Sequence, residues 1–117
     1  MVDKQFKFLL TICDFVQKVE KMGYKMTMGE GYRPPELAKL YAREGRGIAN
    51  SLHTKRLAVD LNAFSGGVYL DGSSASHIPI LNKIGELWES LNPLCAWGGR
   101  FSRKDYNHYS FMNEGVK

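Results

Sequence analysis

The sequence predicts a single α+β domain in which helices pack against one face of a small, mostly antiparallel sheet. Long segments with helical periodicity occur together with short segments in which apolar and polar residues alternate, and glycines or prolines separate them. The chain has 117 residues, which suits one domain spanning residues 1–117. With 44% hydrophobic and 24% charged residues, its composition is that of a globular protein.

Three helices are predicted. Apolar residues recur at three- and four-residue steps over residues 4–22, so this segment should form a well-buried helix that Gly23 ends. The Pro34-Pro35 pair introduces a short helix that continues to about residue 43. Pro79 marks the beginning of the last helix, which buries one apolar side. Other residues expected in the core from their periodicity are Phe6, Phe15, Met26, Met28 and Trp88.

Strands are predicted from alternating apolar and polar residues. In residues 57–62 the apolar side chains should face the core, and Asp60 should lie on the opposite face. In residues 108–112, His108 should likewise lie on the face opposite Tyr109. Shorter strands are expected at residues 24–28 and 68–70.

Four residues in two short segments have the character of a metal-dependent hydrolytic site. His53 and Asp60 belong to the first segment, and Asp105 and His108 belong to the second. Two imidazoles and one carboxylate are the usual ligands of a catalytic zinc, and a further carboxylate can accept a proton. His53 should lie on the loop before the strand and fold back toward Asp60. Because odd offsets point to opposite faces of a strand, the chain must bend before His108 if Asp105 is to reach the same site.

Charge and cysteine content limit the possible partners. The net charge of +4 favours an anionic partner, but the basic residues are spread along the chain and form no nucleic-acid-binding motif. No apolar run approaches the roughly 20 residues that span a bilayer. The beginning of the chain also lacks the features of a secretory signal. Cys13 and Cys95 are expected to be buried, inert free thiols.

Three segments contain recognisable motifs. The stretch SLHTKRLAVD at residues 51–60 resembles the motif SxHxxGxAxD. The WGG turn at residues 97–99, followed by DYNH at 105–108, resembles the second motif, and GYRPPE at residues 31–36 resembles an upstream segment that carries a catalytic arginine. Together they are similar to the VanY/VanX-like zinc peptidases, over about residues 28–111. That group includes D-alanyl-D-alanine carboxypeptidases and dipeptidases, and the L-alanyl-D-glutamate endopeptidases used as phage endolysins.

The resemblance implies a fold and a role for each of six residues. The fold would be the Hedgehog/DD-peptidase type, in which a small antiparallel sheet carries the zinc site. Asp105 would be the general base, Arg33 would stabilise the oxyanion, and Ser51 would support the substrate or the ligand loop. The ligands of Zn²⁺ would be His53, Asp60 and His108.

Two positions distinguish this chain from the family motifs. Arg56 replaces the glycine three residues after the first ligand, so either the turn tolerates an ordinary residue or the local φ is negative. The acidic residue before the last ligand is Asp105 rather than Glu. That choice favours the endolysin-type endopeptidases over the dipeptidases. The alternatives are a D-alanyl-D-alanine carboxypeptidase and a zinc-binding, non-catalytic relative that acts as a binding module.

The expected biological setting is that of a phage or prophage enzyme. With no signal peptide, the chain would be made in the cytoplasm and would act on the cell wall after release, with access depending on a holin-like membrane protein. Its partner would be the peptidoglycan stem peptide. We expect a monomer with no nucleic-acid partner and no membrane insertion.

Overall fold

The computed structural model describes residues 1–117 and confirms the α+β class. Its helices and strands are α1 (Val2–Lys21), β1 (Lys25–Met28), α2 (Pro35–Arg43), β2 (Ala58–Ser65), β3 (Val68–Tyr69), α3 (Ile78–Leu91), β4 (Cys95–Trp97) and β5 (His108–Phe111). Short 3₁₀ helices occupy Leu52–Lys55, Ala75–His77 and Gly98–Arg100. None of the helices has both the length and the apolar character needed to cross a bilayer.

All five strands belong to one antiparallel sheet. The order is β1-β2-β5-β4, and β3 pairs with the end of β2. Because β2 pairs with both β1 and β5, it is the central strand of the site. In the β2–β5 pair, Asp60 lies directly opposite His108. Opposed residues of an antiparallel pair have Cβ atoms about 4.5–5.5 Å apart, so the register itself brings these two side chains together.

An aromatic core between the sheet and helices α1 and α3 orients strand β5. The Phe15 ring lies 5.1 Å from the ring of Trp88 and 4.9 Å from that of Tyr109, measured between centroids. Phe111, also on β5, contacts Phe8 of α1 at 5.2 Å. Since Tyr109 and Phe111 both point toward the helices, the side chain of His108 must point to the other face of the sheet.

The three predicted helices and the four predicted strands are confirmed, and β4 is an additional strand. Helix α2 has the predicted bounds, and α1 begins at Val2, two residues before the predicted beginning. Strand β4 has three residues, Cys95–Trp97, and all are buried. Both faces of this short strand are buried, so its sequence shows no alternation of apolar and polar residues. The sequence therefore predicts only the loop that begins at its end.

The predicted core is wrong at Phe6, Met28 and Cys13, and α1 is not the well-buried helix that the periodicity predicts, because only three of its 20 residues are buried. Phe6 and Met28 are 59% and 73% exposed, and Cys13 is exposed rather than buried. Apolar residues of α1 lie on several sides of the helix, so periodicity alone does not show which side faces the sheet. The buried side carries Phe8, Phe15 and Val19. Cys95 is buried as predicted, and burial raises the pKa of its thiol to about 12, so it is unreactive.

Candidate metal centre and active site

Three of the predicted residues meet on the face of the sheet that points away from α1 and α3. Each of His53, Asp60 and His108 offers one donor atom, and these three atoms lie within 4.8 Å of one another. His53 Nε2 is 3.3 Å from Asp60 Oδ1, and His108 Nδ1 is 3.8 Å from the same oxygen. Two donors that are each about 2.1 Å from a tetrahedral centre lie about 3.4 Å apart. The spacing of the three donors therefore suits one small cation.

Burial of these donors gives an independent test of that fit. His53 and His108 are only 3% and 6% exposed. Asp60 Oδ1, the oxygen that both imidazoles approach, is buried and has no hydrogen-bond partner. Unpaired buried polar atoms are rare because they lose the hydration of the unfolded state without compensation. A divalent cation would provide that compensation, and two imidazoles with one carboxylate fit Zn²⁺.

The 3₁₀ helix Leu52–Lys55 places His53 at this point. Ser51 Oγ accepts a hydrogen bond from the backbone N–H of His53 at 3.3 Å, and Thr54 Oγ1 donates to the carbonyl oxygen of Ser51 at 2.6 Å. His53 Nδ1 lies 2.8 Å from the carbonyl oxygen of Gly31. Donation to that carbonyl places the proton on Nδ1 and leaves Nε2 free to bind a metal. The contacts of Ser51 are thus with the segment that carries His53.

Arg56 ends this 3₁₀ helix in the left-handed conformation, with φ 56° and ψ 34°. The turn therefore tolerates an ordinary residue, and the alternative of a negative φ is wrong. A left-handed conformation costs an ordinary residue about 1–2 kcal/mol. The Arg56 guanidinium lies 4.0 Å from the centroid of the Tyr32 ring, and such a contact contributes about 0.5–1 kcal/mol at an exposed site. The contact offsets part of the backbone cost.

Asp105 lines the same cleft as the three donors, which has a volume of about 500 Å³. It lies in a turn, where its carbonyl oxygen accepts a hydrogen bond from the N–H of His108 at 3.1 Å and its own N–H donates to Gly98 at 2.9 Å. A Cβ atom on Gly98 would lie 2.0 Å from the Asp105 carbonyl oxygen. Gly98 is thus required for the bend that brings Asp105 and His108 into one site.

Arg33 also lines the cleft, where contacts on several sides hold it. Its Nε donates to Glu30 Oε1 at 2.8 Å, and a second guanidinium nitrogen contacts the same oxygen. The guanidinium carbon lies 5.0 Å from the centroid of the Tyr41 ring. The backbone N–H of Arg33 donates to the carbonyl oxygen of His53 at 3.1 Å. With only 12% of its side chain exposed, Arg33 is held in the cleft rather than solvated at the surface.

The ionisable groups of the cleft influence one another. Burial, and next the charge of His53, lower the pKa of His108 to about 4. Burial also lowers the pKa of His53, but the nearby Asp60 carboxylate outweighs it, so that the pKa is raised. Burial, followed by the charge of Asp60, raises the pKa of Asp105. A raised carboxyl pKa brings a proton acceptor closer to neutral pH, where proton transfer is most effective.

Comparison with known proteins agrees with this geometry. The profile of a D-alanyl-D-alanine carboxypeptidase family matches residues 44–111, more than half of the chain. The crystal structure of the Serratia marcescens L-Ala D-Glu endopeptidase ChiX shares the fold, with a TM-score of 0.57 and 22% sequence identity. The match covers 75% of this chain and 67% of that one. Comparison with curated protein sequences finds no significant match.

The family match includes His53, Asp60, Asp105 and His108, whereas Arg33 precedes it. Because the profile covers most of the sheet and all three candidate ligands, it confirms the resemblance that the motifs indicate. The chain belongs to the D-alanyl-D-alanine carboxypeptidase family of peptidoglycan metallopeptidases.

Proposed function

We propose that the protein is a zinc-dependent peptidase that hydrolyses peptidoglycan stem peptides, and that it is an endolysin-type L-alanyl-D-glutamate endopeptidase of a phage or prophage. One observation carries the proposal. A single cleft contains three metal donors within 4.8 Å of one another together with Asp105 and Arg33. These are the parts that hydrolysis of a peptide bond needs: a metal site, a proton acceptor and a cation for the developing oxyanion.

Each residue has a defined task in this proposal. His53, Asp60 and His108 would hold the metal. A Zn²⁺ ion held there would supply Lewis acidity and would make the attacking water easier to deprotonate. Asp105 accepts the proton of the attacking water and then donates it to the amine that leaves. Arg33, held by Glu30, donates hydrogen bonds to the scissile carbonyl oxygen as negative charge develops on it.

Two observations, one from the sequence and one from the fold, favour cleavage of the L-alanyl-D-glutamate bond. Asp105, rather than Glu, precedes the last ligand, as in the endolysin-type enzymes that the sequence resembles. The structural neighbour ChiX is described as an L-Ala D-Glu endopeptidase, although at 22% identity the likeness concerns the fold. A D-alanyl-D-alanine carboxypeptidase is the second candidate, since the matching family profile has that description.

The proposal extends to how the enzyme reaches its substrate. As an endolysin-type enzyme it would be made in the cytoplasm and act on the wall after a holin-like protein has opened the membrane. The three metal donors, Asp105 and Arg33 line one cleft and need no residue from a second copy, and we propose that the protein acts as a monomer.

Mass analysis of muropeptides tests the proposal directly. Purified disaccharide pentapeptides are digested with the zinc-loaded protein, and the Asp105→Asn variant serves as the matched control. Cleavage between L-alanine and D-glutamate releases the sugar with a single alanine, whereas carboxypeptidase activity removes only the terminal D-alanine. We expect the first product. Release of D-alanine alone would establish the second candidate, and the absence of any product would overturn the peptidase function.

A further inference from the structure

The wall of the cleft carries more positive charge than the reaction needs. Arg103 and Lys104 line it beside Asp105, and neither makes an ion pair with a carboxylate of the chain. Their hydrogen-bond partners are backbone carbonyl oxygens. By contrast, nearby glutamates pair with two other cations of the wall, Arg33 with Glu30 and Arg46 with Glu44. The remaining cation in the lining is Lys117.

Arg103 is placed to hold an anion close to the reacting groups. Its Nη1 donates to the carbonyl oxygen of Gly45 at 3.1 Å, so the side chain bridges the segment before Asp105 and the loop after α2. A guanidinium has five N–H donors, and this contact uses one of them. Arg103 is also among the charges that act to lower the pKa of Asp105, although burial and Asp60 raise it overall. Lys104 Nζ, bound to the Gly99 carbonyl at 3.1 Å, adds a second positive charge beside it.

We propose that Arg103, assisted by Lys104, binds a free carboxylate of the substrate next to the peptide bond that is cleaved. The inference rests on the proposed peptidase function of the same cleft. A guanidinium matches a carboxylate with two parallel hydrogen bonds, and this geometry distinguishes a carboxylate from a carboxamide. Two positions in a stem peptide supply such a group: the α-carboxylate of a D-glutamate linked through its side chain, and the terminal carboxylate of D-alanine.

Arg100 provides a matched control from the same loop. Its guanidinium makes two hydrogen bonds to Glu89, at 3.1 and 3.0 Å, and lies over the Trp97 ring. It does not line the cleft. Arg100→Gln therefore removes the same charge from the same segment without removing a cation that faces the substrate.

The experiment compares two pairs of peptides that differ only at the carboxylate. In one pair the D-glutamate α-carboxylate is free or converted to the carboxamide; in the other pair the terminal D-alanine carboxylate is free or amidated. KM and kcat are measured for zinc-loaded wild type, Arg103→Gln and Arg100→Gln. Equilibrium binding is measured by NMR titration on the same three zinc-loaded proteins carrying the additional inactivating substitution Asp105→Asn. We expect Arg103→Gln to weaken binding of one free carboxylate roughly tenfold, with KM raised and kcat nearly unchanged, as for the loss of a charge-assisted hydrogen bond at a partly exposed site.

The pair that responds identifies which carboxylate is bound. Arg100→Gln should behave like wild type on all four peptides, and the amidated peptides should bind Arg103→Gln and wild type equally. If wild type binds the acid and the amide equally in both pairs, or if Arg103→Gln weakens acid and amide alike, the inference is overturned. Binding is measured without turnover, so failure to hydrolyse any peptide would overturn the proposed function and still leave the titrations to decide the role of Arg103.

Discussion

Replacing His108 with alanine tests the metal site separately from the other residues of the cleft. A ligand that binds only the folded state, present at 100 times its Kd, stabilises that state by about 2.7 kcal/mol. For a domain of this size, 1 kcal/mol changes Tm by roughly 3–6 °C. Zinc should therefore raise the Tm of wild type by roughly 8–16 °C at that concentration.

Loss of one donor out of three should remove most of that effect. If His108→Ala raises the Kd to the zinc concentration or above, the stabilisation falls to about 0.4 kcal/mol or less, which is a shift of only about 1–2 °C. His53→Ala and Asp60→Ala should behave in the same way, because their donor atoms belong to the same group.

Asp105→Asn is the contrasting variant, since Asp105 lines the cleft but is not one of the grouped donors. It should keep the zinc-dependent rise in Tm and about one zinc per chain. Its turnover should fall by roughly 10² to 10⁴, because the amide cannot accept the proton of the attacking water.

Tm with and without zinc, elemental analysis and turnover on stem peptide are measured on the same preparations. Loss of zinc from Asp105→Asn together with its retention in His108→Ala would mean that the two roles are reversed. Full activity of Asp105→Asn would refute the assignment of the general base.

Three further predictions concern single residues. Arg33→Ala should lower kcat by roughly 10² to 10³ with zinc content and Tm nearly unchanged, and Arg33→Lys should recover only part of the loss; full activity of the alanine variant would exclude Arg33 from the oxyanion site. Tyr109→Phe should raise the free energy of unfolding by about 1 kcal/mol in denaturant titrations, because the buried Tyr109 hydroxyl has no hydrogen-bond partner. A lower free energy of unfolding would show that the hydroxyl makes a hydrogen bond. The pKa of His53 is raised, and only the neutral imidazole binds a metal, so the apparent zinc affinity should fall about tenfold for each pH unit below that pKa. The affinity is measured by calorimetry at pH 8 and pH 6. The same affinity at both pH values would contradict a ligand role for His53.

The sequence was sufficient to place Asp60 and His108 on the correct face of the sheet. Each lies in a strand with an apolar partner at the neighbouring position, Val59 and Tyr109, and a strand points successive side chains to opposite faces. Their direct opposition across β2 and β5 depends on the register, which no local pattern specifies. The motif resemblance supplied this long-range information, because it places both residues in a single site.

The parts that sequence reasoning missed depend on contacts between distant segments. Glu30 lies near Arg33 in the chain, but its role in holding the guanidinium depends on the fold of the loop around Gly31 and His53. Tyr41, which lies under the same guanidinium, is on α2 and has no sequence signal that separates it from a surface residue. Arg33 by itself therefore looks like an ordinary exposed arginine, although its surroundings hold it in the cleft.

The family motifs have glycine at two positions, 56 and 98, but the structure requires glycine at only one of them. At Gly98, a Cβ atom would lie 2.0 Å from the Asp105 carbonyl oxygen and 2.8 Å from His108 Cβ, so any other residue would displace the proposed base and the proposed ligand together. At Arg56 the constraint is only the positive φ, and the side chain has room to stack on Tyr32. A backbone cost of about 1–2 kcal/mol is small enough for other contacts to offset, whereas an overlap with the backbone at Gly98 is not. The substitution at Arg56 is therefore compatible with an intact site, and a substitution at Gly98 would not be.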